Sequence, residues 1–290
     1  MKLIATDLDG TLLNEEGEIS KENVLAIKKA MDEEIEFVVA TGRSYDAACK
    51  PLHAAGLSAP VISLNGANTF ALDQTMLESI SMEKPVAKKI QQLSEQEDIY
   101  IEFFTNNGIY SKSRSYFVEV MVDVMKTANP EVPETKIRED ANQRLQDEQV
   151  TFIESFDDLY TMENLEIYKI LGFSLEKEKL THIHNQLVEE ETLAITSSGA
   201  INIEFNHVDA QKGLALETLA KSMGIEMQDV MTLGDNFNDA SMLQMAGRGV
   251  AMGNAEPEIK AMCDYTTKAN DEHGVAVAID EMLNEVKAGK

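Results

Sequence analysis

Two aspartates one residue apart, Asp7 and Asp9, follow directly on the apolar run Leu3 to Ala5, and Gly10 and Thr11 complete the segment. In an extended strand residues i and i+2 share a face about 6–7 Å apart, so both carboxylates are expected to point together beyond the strand's end. Paired carboxylates there suit a divalent cation, because open α/β sheets bind ligands at the carboxyl ends of their strands, where loop N–H groups are left unpaired. A calcium loop is the competing reading of Asp-x-Asp-Gly. Aligning Gly10 with its turn glycine places Asp7 and Asp9 at the third and fifth loop positions and Glu16 at the twelfth. The first position then falls on Ala5, which has no side-chain oxygen, and the residues before it are too few for an entering helix.

Three further apolar runs end in polar residues of the types that phosphate chemistry needs. Thr41-Gly42-Arg43 follows Phe37 to Ala40, Asn65-Gly66 follows Val61 to Leu64, and Gly234-Asp235-Asn236-Phe237-Asn238-Asp239 follows Val230 to Leu233. Lys212 opens a helical pattern before that last run. Each has a plainer reading: turn chemistry for Thr41-Gly42, a solvated helix residue for Lys212, N-terminal helix charges for Asp235 and Asp239. In a parallel sheet all these strand ends lie on one edge, and the plain readings would all have to hold at that edge.

The elements that must position these residues show a β-α-β rhythm. Lys2 to Thr6, Glu36 to Ala40 and Pro60 to Leu64 are short and apolar, as strands buried on both faces should be. Ser20 is placed to cap a helix with Val24, Ile27 and Met31 on one face. The rhythm returns late in the chain, with a helical face at Leu216, Leu219, Ala220 and Met223, a strand over Asp229 to Leu233 and another over Gly249 to Met252. Between these parts the pattern changes to long polar helices and strands such as Ile99 to Thr105 and Ile201 to Phe205, with Asn107-Gly108 signalling a hairpin. The expected architecture is α/β: a Rossmann-like parallel-sheet core from 1–82 and 209–290, with an inserted α+β cap at 83–208.

Composition narrows the partners. A chain of 290 residues with 43% hydrophobic and 26% charged side chains can bury a core without disulfides. Its 51 acidic and 25 basic residues give a formal charge of −26, which repels phosphate backbones and anionic lipid and speaks against nucleic acid and membrane partners. Two cysteines make no disulfide framework, and Asp7 and Asp9 interrupt the first apolar run too early for a signal peptide, so a cytoplasmic location is expected.

The four ordered segments, Asp7-Leu8-Asp9-Gly10-Thr11, Thr41-Gly42-Arg43, Lys212 and Gly234 to Asp239, resemble the motifs of the haloacid dehalogenase superfamily of aspartate-nucleophile phosphatases. The large insert between the second and third resembles the α/β cap of its Cof-type branch. The resemblance implies that Asp7 attacks phosphorus and that Asp9 acts as acid and then base. It implies Mg2+ held by Asp7, the Asp9 carbonyl and Asp235, with Asp239 as a ligand or a support behind it. Phosphate oxygens would rest on Thr41, the Gly42 N–H, Lys212, Asn238 and the Leu8 N–H, and the substrate would be a small phosphate ester. A phosphomutase using the same chemistry and a receiver-like phospho-aspartate module are the alternatives; oligomeric state is left open.

Fainter signals remain. Arg43 is expected to meet the organic part of the substrate or the insert, and Asn65 and Gly66 the same region. Around the hairpin, Phe103, Thr105, Asn107, Tyr110, Lys112 and Arg114 read either as a specificity loop or as an exposed turn. His182 and His184, two apart on a helix, diverge and complete no zinc pattern. The cysteines read as buried thiols.

Overall fold

The computed structural model describes residues 1–128, 131–198 and 201–288. The chain begins with β1 (Leu3–Thr6), α1 (Lys21–Asp32), β2 (Glu36–Ala40), α2 (Tyr45–Ala54), β3 (Val61–Ser63), β4 (Asn68–Phe70) and β5 (Met76–Ser79). A second set follows: α3 (Lys84–Gln96), β6 (Tyr100–Thr105), β7 (Gly108–Ser111), α4 (Arg114–Ala128), α5 (Glu134–Asp147), β8 (Thr151–Phe152), α6 (Asp157–Thr161), β9 (Ile167–Phe173), α7 (Lys177–Leu187), β10 (Leu193–Thr196) and β11 (Asn202–His207). The chain closes with α8 (Lys212–Ser222), β12 (Val230–Gly234), α9 (Ala240–Met245), β13 (Arg248–Ala251), α10 (Pro257–Met262), β14 (Tyr265–Thr266) and α11 (Gly274–Ala288).

These elements form two compact units, Met1–Ser79 with the chain from Asp209, and Ile80–Val208. Met82, read from sequence as the end of the first segment, donates its N–H to Ile167 O at 2.7 Å and so belongs to the second unit.

In the first unit one sheet runs β14-β13-β12-β1-β2-β3-β4-β5. From β14 to β3 every pairing is parallel, and β1 and β12 are buried along their whole length, as continuous apolar runs require. The β4–β5 hairpin adds two antiparallel strands that the sequence reading did not contain. The chain runs outward from β1 through β2 and β3, then outward the other way from β12, so the strand order reverses between β1 and β12. Such a reversal opens a crevice at the carboxyl ends of the two strands.

The helix α1 starts where Ser20 caps it, accepting the Asn23 N–H at 3.2 Å. Its buried face is Asn23, Ala26, Ile27 and Ala30, rotated from the expected stripe, and Met31 is exposed. The small Ala26 and Ala30 let α11 pack closely. Asn23 is drawn inside because its amide serves two backbones, donating to Leu12 O and accepting from Ala276 N.

The second unit is a six-stranded sheet, β10-β11-β9-β6-β7-β8, antiparallel except for β7 with β8. The hairpin between β6 and β7 pairs Thr105 with Gly108. Its tip, Asn106 to Gly108, is an exposed turn, while Phe103 within β6 is fully buried with its ring 4.7 Å from that of Phe156. Lys112 pairs with Glu95, and Arg114 Nε donates to Asn142 Oδ1. His182 lies against Glu97, and the two cysteines are half-buried free thiols rather than fully buried ones. Among the described residues no helix is long and apolar enough to cross a membrane.

Candidate active site

Asp7 lies immediately beyond β1, with its N–H bonded to Leu233 O of β12 at 3.0 Å. The chain then winds through a short turn in which Gly10 takes a left-handed φ of 72°. A β-carbon on Gly10 would stand 2.4 Å from Asp235 Oδ2, so only glycine lets the backbone pass this carboxylate. The winding separates the two aspartates that a strand would have aligned. Asp7 is 5% exposed, whereas the Asp9 side chain is 58% exposed.

The start of α8 is wedged into place from two sides. Gly66 has φ 105°, and a β-carbon there would meet the Gln211 carbonyl at 2.5 Å; one on Gly213 would meet the Ser241 backbone at 2.6 Å. Close backbone contact on both sides delivers Lys212 into the first unit's interior, where it is fully buried. Its ammonium lies 2.7 Å from Asp7 Oδ1 and 2.6 Å from Asp239 Oδ1. Asp239 Oδ2 in turn accepts the N–H groups of Asp235 and Asn236 at 3.0 and 3.1 Å. Asp239 therefore has both oxygens engaged by protein.

Asp235 Oδ1 accepts the Thr11 hydroxyl at 2.9 Å. Asp7 Oδ2 and Asp235 Oδ2 accept no hydrogen bond from any described residue. Among the described residues Asp7, Asp235 and Asp239 are the only group of three potential metal-ligating side chains, with one oxygen from each within 4.8 Å of the others.

The electrostatics of this cluster are unbalanced. Burial pushes the Asp7 carboxyl well above its usual range, and Asp239, Asp235 and Asp9 add to the rise against the pull of Lys212. Burial, reinforced by Asp239, lifts Asp235 to about 7. Lys212 is kept charged: burial alone would lower its pKa, but Asp239 and Asp7 outweigh burial and raise it. Ionising all three carboxyls against one ammonium would leave two negative charges unmatched, which is why Asp7 and Asp235 are pushed toward their protonated forms. Hard oxygens, two of them without hydrogen bonds, and that excess of charge on full ionisation fit a divalent cation, with Asp7 and Asp235 offering the oxygens that no hydrogen bond occupies.

Around this cluster the structure places the other expected residues unevenly. Thr41 is buried beyond β2, its hydroxyl accepting the Arg43 N–H at 3.2 Å, with Gly42 between them. Asn238 is buried and donates to Asn65 Oδ1 at 3.3 Å, which joins the segment after β3 to the segment after β12. Leu8 has its side chain in the apolar core. Arg43, expected toward substrate, grips Asp9 through Nε–Oδ2 at 2.8 Å and a second N–H to Oδ1 at 2.5 Å. The sequence reading gave no structural role to Ser241, which accepts the Gly213 N–H, or to Asn254, which donates to Gly10 O. Ser241 lies within α9, away from any strand end, and Asn254 follows β13 without a carboxylate, hydroxyl or ammonium to mark it.

The family model of haloacid dehalogenase-like hydrolases matches residues 4–279. Phosphatase YwpJ of Bacillus subtilis is 38% identical over 98% of this chain and 100% of its own. The 5-amino-6-(5-phospho-D-ribitylamino)uracil phosphatase YwtE of the same organism is 36% identical over 98% and 99%. A solved haloacid dehalogenase-like hydrolase from B. subtilis superposes with a TM-score of 0.88 at 38% identity, covering 97% of this chain and 99% of that one. These relatives, matched over nearly their whole length, are named phosphatases, and the enzyme class is that of phosphoric monoester hydrolases. The chain belongs to the haloacid dehalogenase-like hydrolases, in their Cof-type branch.

Proposed function

We propose that the protein is a Mg2+-dependent phosphatase of small phosphorylated metabolites, acting through an aspartyl-phosphate on Asp7. The observation that carries this reading is Asp7 itself. It is a buried carboxylate at the strand-order reversal, with one oxygen held by a buried ammonium and the other without a hydrogen bond. The substrate class is a sugar phosphate or a phosphorylated cofactor, supported by the ribityl phosphate ester in the name of the relative YwtE. The insert at 83–208 is assigned the choice among such esters.

Asp7, the Asp9 carbonyl and Asp235 would hold the metal, with Asp239 supporting from behind. When bound, Mg2+ supplies positive charge that lets an anionic ester enter an acidic cluster and offsets charge spreading over phosphorus. Lys212 spends two of its three N–H donors on Asp7 and Asp239, and the third is assigned to a phosphate oxygen. Thr41, Asn238 and the Gly42 and Leu8 N–H groups hold the remaining oxygens. Asp7 then forms a bond to phosphorus through the carboxylate oxygen that the metal leaves free as the ester P–O bond breaks, and the Asp9 carboxyl gives its proton to the leaving oxygen. In the second step Asp9 takes a proton from water. The water oxygen bonds to phosphorus, the acyl-phosphate P–O bond breaks, and Asp7 is restored with inorganic phosphate released.

The test is phosphate release from a panel of phosphorylated metabolites, with Mg2+ and with chelator. Asp7→Asn is expected to abolish release, and Asp9→Asn to accumulate a phospho-enzyme visible by intact mass. Undiminished release from Asp7→Asn, or turnover persisting in chelator, would overturn the reading.

A further inference from the structure

The turn that carries Asp9 and Gly10 lies beyond the end of β1, yet three carbonyls of the chain from Gly10 to Leu13 are held by asparagines, two of them from the far end of the sequence. Gly10 O accepts from Asn254 at 2.8 Å, Leu12 O from Asn23 at 3.3 Å and Leu13 O from Asn270 at 2.9 Å. Asn254 Oδ1 also accepts the Asn270 N–H at 3.0 Å, so its amide is engaged at both ends. Asn254 itself sits at the middle of a short segment suspended from the strand that carries Asp235. Met252 N–H bonds to Gly234 O at 3.0 Å and Glu256 N–H to Asp235 O at 3.2 Å.

The peptide that Asn254 grips is the one that matters for the carboxylates. The Gly10 carbonyl and the Thr11 N–H belong to a single planar unit. On one side of that unit Gly10 passes Asp235 without room for a β-carbon; on the other, the Thr11 hydroxyl donates to Asp235 Oδ1. Glycine in a left-handed conformation restrains its own rotation poorly. An external hydrogen bond to its carbonyl is therefore what sets the orientation of the unit.

We propose that Asn254 is a positioning residue of the site: by holding the Gly10 carbonyl it fixes the Gly10–Thr11 peptide against Asp235, and so keeps the Asp7 and Asp235 carboxylates in register for one divalent cation. The inference rests on the phosphatase reading of the same cluster. An amide is required at this position, because it donates to Gly10 and accepts from Asn270 at once.

The experiment compares wild type, Asn254→Ala, Asn254→Gln and Ile259→Val, the last a fully buried core residue whose trimming costs stability without removing a hydrogen bond. Two quantities are read: the Mg2+ concentration giving half of the metal-dependent rise in melting temperature, and kcat and KM for p-nitrophenyl phosphate. Asn254→Ala is expected to raise the Mg2+ midpoint and lower kcat by about tenfold each, with KM changed by less than about threefold. Asn254→Gln should recover part of both, and Ile259→Val should stay within about twofold of wild type in both. Wild-type values in Asn254→Ala, or equal shifts in Ile259→Val, would overturn the inference while wild-type turnover left the phosphatase reading standing. A wild type with neither turnover nor a metal-dependent melting shift would overturn both.

Discussion

Arg43 holds Asp9 in a two-pronged grip, Nε to Oδ2 at 2.8 Å and a terminal nitrogen to Oδ1 at 2.5 Å, on the solvent side of a cluster whose other carboxylates are largely withdrawn from water. The planar guanidinium makes this fork possible, and an ammonium cannot reproduce it. Arg43→Lys is therefore expected to behave like Arg43→Ala. Both should lower kcat by roughly tenfold while melting temperature stays within a few degrees, since a half-exposed pair adds little stability. Full activity in Arg43→Lys would show that charge alone suffices there.

Lys212 differs from Arg43 in lying wholly inside the fold. Replacing it with Met removes the ammonium from between Asp7 and Asp239 and leaves two buried carboxylates without their countercharge. Breaking one side of a buried ion pair costs roughly 3–5 kcal/mol, so the urea midpoint of Lys212→Met should fall steeply and phosphate release should disappear. An unchanged midpoint would contradict the buried placement.

The acidity of Asp235 makes stability depend on pH in a direction opposite to that of most carboxylates. Its folded value of about 7 lies above the ordinary value of about 4 in the unfolded chain. Between those values the folded form holds a proton that the unfolded form has lost. The site's contribution to stability is thus full at the acid end and is lost as pH rises through 7. In chelator, unfolding free energy is expected to fall by on the order of 1–3 kcal/mol between pH 5 and pH 8 relative to the same titration in Mg2+, which competes with the proton. Parallel curves with and without metal would count against Asp235 as a ligand.

Gly66 offers a test of how Lys212 is placed. Gly66→Ala puts a methyl group into the Gln211 carbonyl at the head of α8, whereas Gly56→Ala, also at positive φ, meets nothing within 4 Å. Both variants carry backbone strain of about 1 kcal/mol or more. Gly66→Ala alone should also lower kcat, by about tenfold or more, because it displaces the ammonium. Equal activity in the two variants would mean that α8 tolerates the shift.

Much of the arrangement was legible because the polar segments sit at strand ends, and parallel topology gathers strand ends whatever their separation in sequence. Asp7, Thr41 and Asp235 could be assigned to one edge by that rule, whereas Lys212 opens a helix and was tied to them by the family resemblance. The divergence of Asp7 from Asp9 could not, because it depends on Gly10 turning the chain beyond the strand, where the two-residue period no longer applies. The β4–β5 hairpin was missed because its strands are short and Met76 and Leu77 lie exposed, leaving no alternating pattern. The burial of Asn23 was also hidden. A polar side chain that satisfies two backbones looks, in sequence, like any helix surface residue.

The pairing of Leu3 with Val230 has a consequence for how the protein comes into being. The strand that carries the nucleophile occupies the middle of its sheet, and one flank is supplied only after the whole insert has been synthesised. A nascent chain emerging from the ribosome has β2 to pair with β1 but must leave the other edge bare until β12 arrives. Such distant pairing slows folding and prolongs exposure of an apolar strand edge, making early intermediates clients for chaperones. It also means that no truncated product ending before β12 can bring Lys212, Asp235 and Asp7 together, so the acidic cluster forms only after the insert and α8 have been made.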